Sequence, residues 1–220
     1  MENIVFCIPT IIRYDLCLKL IESVELSTIK PTKYHIIDNG NEFSNHIDIN
    51  AYSIPIDLYS PGHNLGVSSS WNYFMDNNDA LLIISNDDMT VAPNTIEIMV
   101  NAYEKNNQDS VLFCVDNENA FSFFMIHSSI RNTIGHFDEK FWPAYFEDCD
   151  YMRRILLSNK NAYHVSNLGI THYGSATLEE QRRQKKAGDH DTNFIKNREY
   201  YISKWGGLPI EEKYMTPFDK

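Results

Sequence analysis

No apolar stretch of this chain approaches the roughly 18 residues that a membrane-crossing helix needs, so no membrane span is expected. The opening Met1-Glu2-Asn3-Ile4-Val5 also lacks the basic and then apolar pattern of a secretion signal. Cysteine is scarce: Cys7, Cys17, Cys114 and Cys149 form no C-x-x-C pair, and three of them sit in apolar patterns where a thiol behaves as a small hydrophobe. No disulfide framework is therefore expected, and a soluble protein of a reducing compartment, the cytoplasm, is. Positive charge is short as well. Nineteen Lys and Arg against 30 Asp and Glu give a formal net charge of -11, which argues against a nucleic-acid partner bound by phosphate neutralisation. The one basic cluster, Arg182, Arg183, Lys185 and Lys186, reads as a solvated helix face or as a contact for a diphosphate or an anionic surface. Internal repeats and low-complexity blocks are absent too.

What is present is an alternation of short apolar runs and helical patterns. At 220 residues the chain suits one large domain, or a domain with an appended tail. Residues 4–8 read as a buried strand closed by Pro9. A helix follows from Asp15, placed to cap it, with Leu16, Cys17, Leu20, Ile21 and Val24 at helical spacing and Pro31 beyond its end. Strands are expected at 34–37, 56–59 and 80–84, with helical character at 67–75 and a helix from Pro93 through Tyr103. This order predicts an α/β fold with a mostly parallel central sheet covered by helices, with ligands bound where the strands end. Further on, 111–115 and 121–126 are strand-like, 141–146 is an aromatic loop, and 147–157 is a helix. Short strands follow at 162–165 and 169–172. The expected division is a domain over 1–175 and a C-terminal polar arm or helix over 176–220 packing on it. Residues 175–198 read as a mobile arm or surface helix.

Four clusters carry chemistry, and each has a plainer reading. Asn86-Asp87-Asp88 ends a buried strand, where oxygen ligands can hold Mg²⁺ or Mn²⁺ against a diphosphate; it is equally a polar turn. Asp38-Asn39-Gly40 offers a carboxylate to the ring N–H of uracil or thymine, or else a hairpin turn. Glu147-Asp148 opens a helix, whose dipole favours an ionised carboxylate ready to accept a proton; acids also favour first turns for stability alone. The neighbouring Trp142, Tyr145 and Phe146 can cover the apolar face of an acceptor sugar. His172, at the end of a late strand, can complete a carboxylate metal site or be an ordinary hydrogen-bonded histidine.

Taken in order, Ile8-Pro9-Thr10, Ile37-Asp38-Asn39-Gly40, Asn64-Leu65-Gly66 with Asn72, Asn86-Asp87-Asp88, Glu147-Asp148 and His172 resemble the motif series of the family 2 glycosyltransferases with the GT-A fold. The resemblance covers roughly residues 3–175 and is nearest the non-processive branch of rhamnosyl- and galactofuranosyltransferases, including the transferase modules of large algal-virus proteins. It implies an inverting, metal-dependent transfer of one sugar from a nucleoside-diphosphate donor, UDP foremost, to a glycan hydroxyl. By position it implies that Pro9, Thr10 and Arg13 line the nucleotide, with Asp38 on the base. Asn64, Gly66 and Asn72 would support the donor pocket, and Asn86 or Asp87 would lie near the ribose or diphosphate. Asp88 and His172 would hold Mn²⁺ or Mg²⁺, Asp148 would be the catalytic base, and Glu147 would position a sugar. Two departures stand out. Asn86 replaces the first acid of the D-x-D motif, and the Q-x-x-R-W motif of processive polymerases is absent, which favours transfer of a single sugar. Two other readings compete. A sugar-1-phosphate nucleotidyltransferase would need a Gly-rich phosphate loop, yet the stretch from Pro9 to Asp15 has no Gly. A catalytically silent sugar-nucleotide or glycan-binding module would have no use for the Glu147-Asp148 pair.

Overall fold

The computed structural model describes residues 3–108, 110–115, 120–174 and 190–219. In chain order the strands are β1 (Ile4–Thr10), β2 (Lys33–Asp38), β3 (Ile56–Tyr59), β4 (Leu81–Ser85), β5 (Met89–Val91), β6 (Ser110–Val115), β7 (Phe123–His127), β8 (Asn161–Val165) and β9 (Ile170–His172). The helices are α1 (Tyr14–Glu25), α2 (Val67–Asp76), α3 (Thr95–Asn106), α4 (Glu147–Leu157) and α5 (His190–Trp205).

Seven strands form one sheet in the order β3-β2-β1-β4-β7-β6-β8. Strands β1 to β4 are mutually parallel, and β7 alone runs antiparallel to its neighbours β4 and β6. The continuous apolar runs are explained by helices on both faces. Ile4, Phe6 and Ile8 of β1 point into one core with Leu20, Ile21 and Val24 of α1 and Ile96 and Met99 of α3. Val5 and Cys7 point to the other face, against Trp71, Phe74 and Met75 of α2 and Tyr151 and Ile155 of α4. The chain lays β2 and β3 on one side of β1 and then returns to place β4 on the other. That reversal opens a crevice beyond the carboxyl ends of β1 and β4, where sheets of this kind bind ligands.

Three local expectations need correction. Asp15 is not the cap of α1: Arg13 occupies that position, and Asp15 lies in the first turn, paired with the Arg13 guanidinium at 2.8 and 2.9 Å. Helix α3 begins at Thr95, not at Pro93. Strand β5 was not foreseen, because three residues after a polar turn carry no periodicity to read. It pairs antiparallel with β9 in a separate two-stranded ladder.

The basic cluster at 182–186 lies outside the described residues. From His190 to Trp205 the chain is helical: over 191–198 it is a surface helix with Asn197 buried, and further on Tyr201, Lys204 and Trp205 turn inward. Tyr201 and Trp205 form a small core with Phe141. Lys204, also buried, sits between Asp138 at 2.7 Å and Asp150 at 2.6 Å, and the Trp205 indole N–H donates to Asp150 at 2.9 Å. A polar-looking segment thus buries its apolar and charged residues together.

Candidate active site

The crevice is an open cleft of about 620 Å³, within the usual range for small-ligand sites. Its walls come from segments far apart in sequence: Thr10 at the end of β1, Gly66 before α2, Asp87 and Asp88 after β4, Glu147 and Asp148 at the start of α4, His172 of β9, and Phe194 of α5. The parallel register brings the ends of β1 and β4 to one edge. There the Thr10 hydroxyl donates to Asp87 Oδ2 at 2.7 Å.

The β5–β9 ladder brings in the histidine. Met89 faces His172 in register, and the Tyr173 amide donates to the Asp88 carbonyl at 2.9 Å. Residues 84 positions apart therefore meet, with His172 Nε2 3.1 Å from Asp88 Oδ1. That hydrogen bond raises the His172 pKa above its ordinary value, with burial working the other way. Burial pushes the Asp87 carboxyl up to about 7; the Thr10 hydrogen bond opposes this and the Asp88 charge adds to it. Glu147 is raised well above the carboxylate range by burial and by the neighbouring Asp148 charge, and its Oε2 has no hydrogen-bond partner in the protein. Asp148 is more open to the cleft, and its Oδ1 accepts from the Cys149 amide at 2.7 Å.

Pro9, Thr10, Asn64, Gly66, Asn86, Asp87, Asp88, Glu147, Asp148, His172, Tyr145 and Phe146 of the expected set line this cleft. Four others do not, each for a visible reason. Asp38 is wholly buried: its Oδ1 accepts from the Tyr14 hydroxyl and the Gly40 and Asn41 amides, and its Oδ2 from the Phe43 amide and the Ser60 hydroxyl. With about four lone-pair positions on a carboxylate, none is left for a base N–H. Asn72 is also internal, fixing Phe137 through both amide ends (3.0 and 2.8 Å) and donating to Glu139. Arg13 pairs with Asp15, although its charge reaches Asp87 and lowers its pKa somewhat. Trp142 is 45% exposed and turns its indole N–H to the Asn64 carbonyl at 3.2 Å.

Sequence reasoning did not point to Phe121, Ser122 or Phe194, which also line the cleft. Phe121 and Ser122 belong to a short turn with no motif. Phe194 lies in a helix with weak amphipathic character, so no periodic signal marks it. Among the described residues no group of three or more His, Cys, Asp and Glu side chains is set to hold a metal ion. Asp88 and His172 form a hydrogen-bonded pair on the cleft wall.

Sheet order and the crevice at its switch point are those of the GT-A fold of glycosyltransferases. Residues 5–165 match the model of glycosyl transferase family 2, and the chain belongs to that family. No curated protein sequence matches the chain. Among solved structures it is similar to the mannosyltransferase PcManGT from Pyrobaculum calidifontis in complex with GDP-Man and Mn²⁺. The identity is 9% and the TM-score 0.65, over 89% of this chain and 64% of that one. It is also similar to S. aureus TarS (9% identity, TM-score 0.62, 83% of this chain and 38% of that one). A shorter form, TarS 1-349 in complex with UDP-GlcNAc, matches at 9% identity and TM-score 0.61, over 76% of this chain and 57% of that one. At these identities the likeness carries the fold, and the chain spans only part of each of these proteins. No described helix is long and apolar enough to cross a membrane.

Proposed function

We propose that the chain transfers one sugar from a nucleoside-diphosphate donor to a hydroxyl of a glycan acceptor, with inversion at the anomeric carbon. The observation that carries this reading is the convergence of Asp87, Asp88, Glu147, Asp148 and His172 on one cleft at the switch point of the sheet. Asp148, the more open carboxylate, takes the proton from the acceptor hydroxyl as that oxygen attacks the anomeric carbon. Glu147, beside it at the start of α4 and lining the same cleft, positions a sugar for the transfer. UDP is the proposed nucleotide, as in the TarS complex, and GDP, as in the mannosyltransferase complex, is the alternative. With Asp38 fully engaged, the base is held through other groups of the cleft. The missing Q-x-x-R-W motif favours a single transfer over chain synthesis.

A divalent cation fits this site. Among the described residues that line the cleft, the acids Asp87, Asp88, Glu147 and Asp148 face a single basic side chain, His172, and Asp88 and Asp148 alone already set negative charge against a diphosphate. A diphosphate would meet repulsion there unless a cation neutralised it. Asp88 Oδ1 and His172 Nε2, 3.1 Å apart, have about the separation of adjacent ligands on an ion bound at roughly 2.1 Å. An oxygen and a nitrogen donor suit Mn²⁺ better than Mg²⁺. When bound, the ion stabilises negative charge on the leaving diphosphate. With only two protein ligands, Mn²⁺ is expected to bind weakly alone and tightly with the nucleotide.

The test follows release of UDP, GDP and dTDP from a panel of nucleotide sugars with Mn²⁺, Mg²⁺ or EDTA, with and without glycoside acceptors. Metal-dependent release of one nucleotide, abolished in Asp88→Ala, is expected. Asp148→Asn is expected to lower kcat at least about 100-fold with nucleotide affinity retained. Full turnover in Asp148→Asn would remove the assigned base, and nucleotide binding without release under every condition would make the chain a silent binding module.

A further inference from the structure

We propose that Asn197, on helix α5 beyond the part of the chain that matches the family, is a positioning residue that sets the loop delivering Glu147 and Asp148 to the cleft. The proposal rests on the reading of Asp148 as the base.

The loop at 141–146 enters α4 through an unfavourable backbone. Tyr145 and Phe146 are consecutive non-glycine residues with φ of 82° and 73°, a left-handed conformation that side chains of this size adopt only when their surroundings impose it. Phe146 is the residue immediately before α4, so its conformation fixes the direction in which Glu147 and Asp148 leave the loop. The loop's internal contacts, among them the Tyr145 backbone hydrogen bond to the Glu147 carboxyl, do not by themselves tie that path to the C-terminal helix.

Asn197 does. It is wholly buried, and its Nδ2 donates to the Ala144 carbonyl at 2.8 Å and the Phe141 carbonyl at 2.9 Å. The Trp142 and Tyr145 carbonyls lie at 3.4 Å. One amide nitrogen thus gathers four carbonyls of a single turn, which points them inward. Its Oδ1 has no partner, so the side chain is placed for the use of its donor end. The neighbours on the same side of α5 act on the same loop. Phe194, one turn earlier, packs against Tyr145 and Phe146 with ring centroids 5.4 and 5.3 Å apart, and Tyr201, one turn later, meets Phe146 at 5.6 Å. The spacing 194, 197, 201 is a helical stripe aimed at one target. Phe194 also lines the cleft, so the helix that orders the loop forms part of the wall.

The experiment combines amide hydrogen exchange with steady-state kinetics on the full chain, for wild type, Asn197→Ala and the isosteric Asn197→Asp, which loses both N–H donors without leaving a cavity. In both variants the amides of 144–148 are expected to exchange at least tenfold faster while those of β1 and β4 do not change. Transfer kcat is expected to fall about 10–100-fold, with the nucleotide Kd within twofold of wild type. A merely structural role would lower stability and nucleotide affinity together, and that result overturns the proposal, as does unaltered exchange or transfer within twofold of wild type. If neither variant folds, the wild type decides: loop amides that exchange with the same opening free energy as α5 support the clamp, and loop amides that open independently of α5 overturn it. Absence of transfer by wild type with every donor refutes the enzymatic reading instead, and the clamp then stands or falls on exchange alone.

Discussion

A carboxyl group buried beside another in the cleft carries a pH-dependent cost to folding. The folded-state pKa of Asp87 is raised from 3.8 to about 7. Between these values the unfolded chain has released the proton that the folded chain still holds, so this residue's contribution to stability falls as pH rises from 3.8 and reaches its full cost above 7. Asp87→Asn, without added metal or nucleotide, should therefore raise Tm at pH 8 and leave it nearly unchanged at pH 3.5. For a chain of this size each kcal/mol corresponds to about 2–4 °C. Thermal denaturation at the two pH values measures the difference, and an equal shift at both would show that ionisation is not its source. Asp38 has a structural part instead: its carboxylate accepts from three backbone amides and two hydroxyls. Asp38→Ala leaves buried donors unpaired and should cost about 3 kcal/mol in urea unfolding. Both aspartates look alike in the sequence, at the end of an apolar run in a polar turn. Which one faces a cleft and which one closes a loop depends on Tyr14, Phe43 and Ser60 arriving from other segments, and no local pattern records that.

At the scale of elements, the strength of a local signal decided what could be read. The run at 80–84 and the helical spacing from Leu16 to Val24 locate β4 and α1 because a core on both faces of the sheet requires them. The pairing of β5 with β9, which joins Asp88 to His172, was hidden because each strand has three residues. For helix α5, offered by the sequence as an arm or a packing helix, what went unread was the buried face, because it includes Lys204, whose charge reads as surface. Lys204 lies between half-buried Asp138 and wholly buried Asp150, so Lys204→Met removes a cation that both share, leaving Asp150 to Arg154 and Trp205 and Asp138 to Tyr200, and should cost about 3 kcal/mol. The companion variant Lys204→Met with Asp150→Asn and Asp138→Asn should recover part of that loss, and urea midpoints report both. Gly66 makes a similar point for the loop before α2. It has φ +80°, and a Cβ there would lie 2.7 Å from the Trp142 ring and 2.9 Å from the Pro143 carbonyl oxygen. Gly66→Ala should therefore cost about 1–2 kcal/mol for the left-handed backbone alone. It should also push the 141–146 loop off the cleft, so that turnover falls more than stability does.

At the scale of the whole molecule, the question is whether the C-terminal helix is an appendage or part of one folding unit. We read it as part of the unit. Asp150 of α4 is wholly buried and takes hydrogen bonds from Arg154, Lys204 and Trp205. Asp138 receives Lys204 and the Tyr200 hydroxyl, and Arg153 reaches the Tyr214 carbonyl. A chain ending at Gly174 would expose Phe141 and leave Asp150 with Arg154 alone, both within contact of the loop that carries Glu147 and Asp148. Cooperative unfolding of one unit gives coincident transitions by different probes. In the full chain, far-ultraviolet circular dichroism, which follows all helices, and tryptophan fluorescence, to which Trp205 of α5 and Trp71 of α2 contribute, should trace a single urea curve. The chain truncated after Gly174 should lose its sharp transition or aggregate, because a buried carboxylate without its cation and an uncovered aromatic core both act against the native state. Survival of the truncated chain with an unchanged midpoint would instead make α5 an arm laid on a finished domain. Its hold on the active-site loop would then be a separable contact, and the loop's left-handed path would have to be imposed by residues 3–174 themselves.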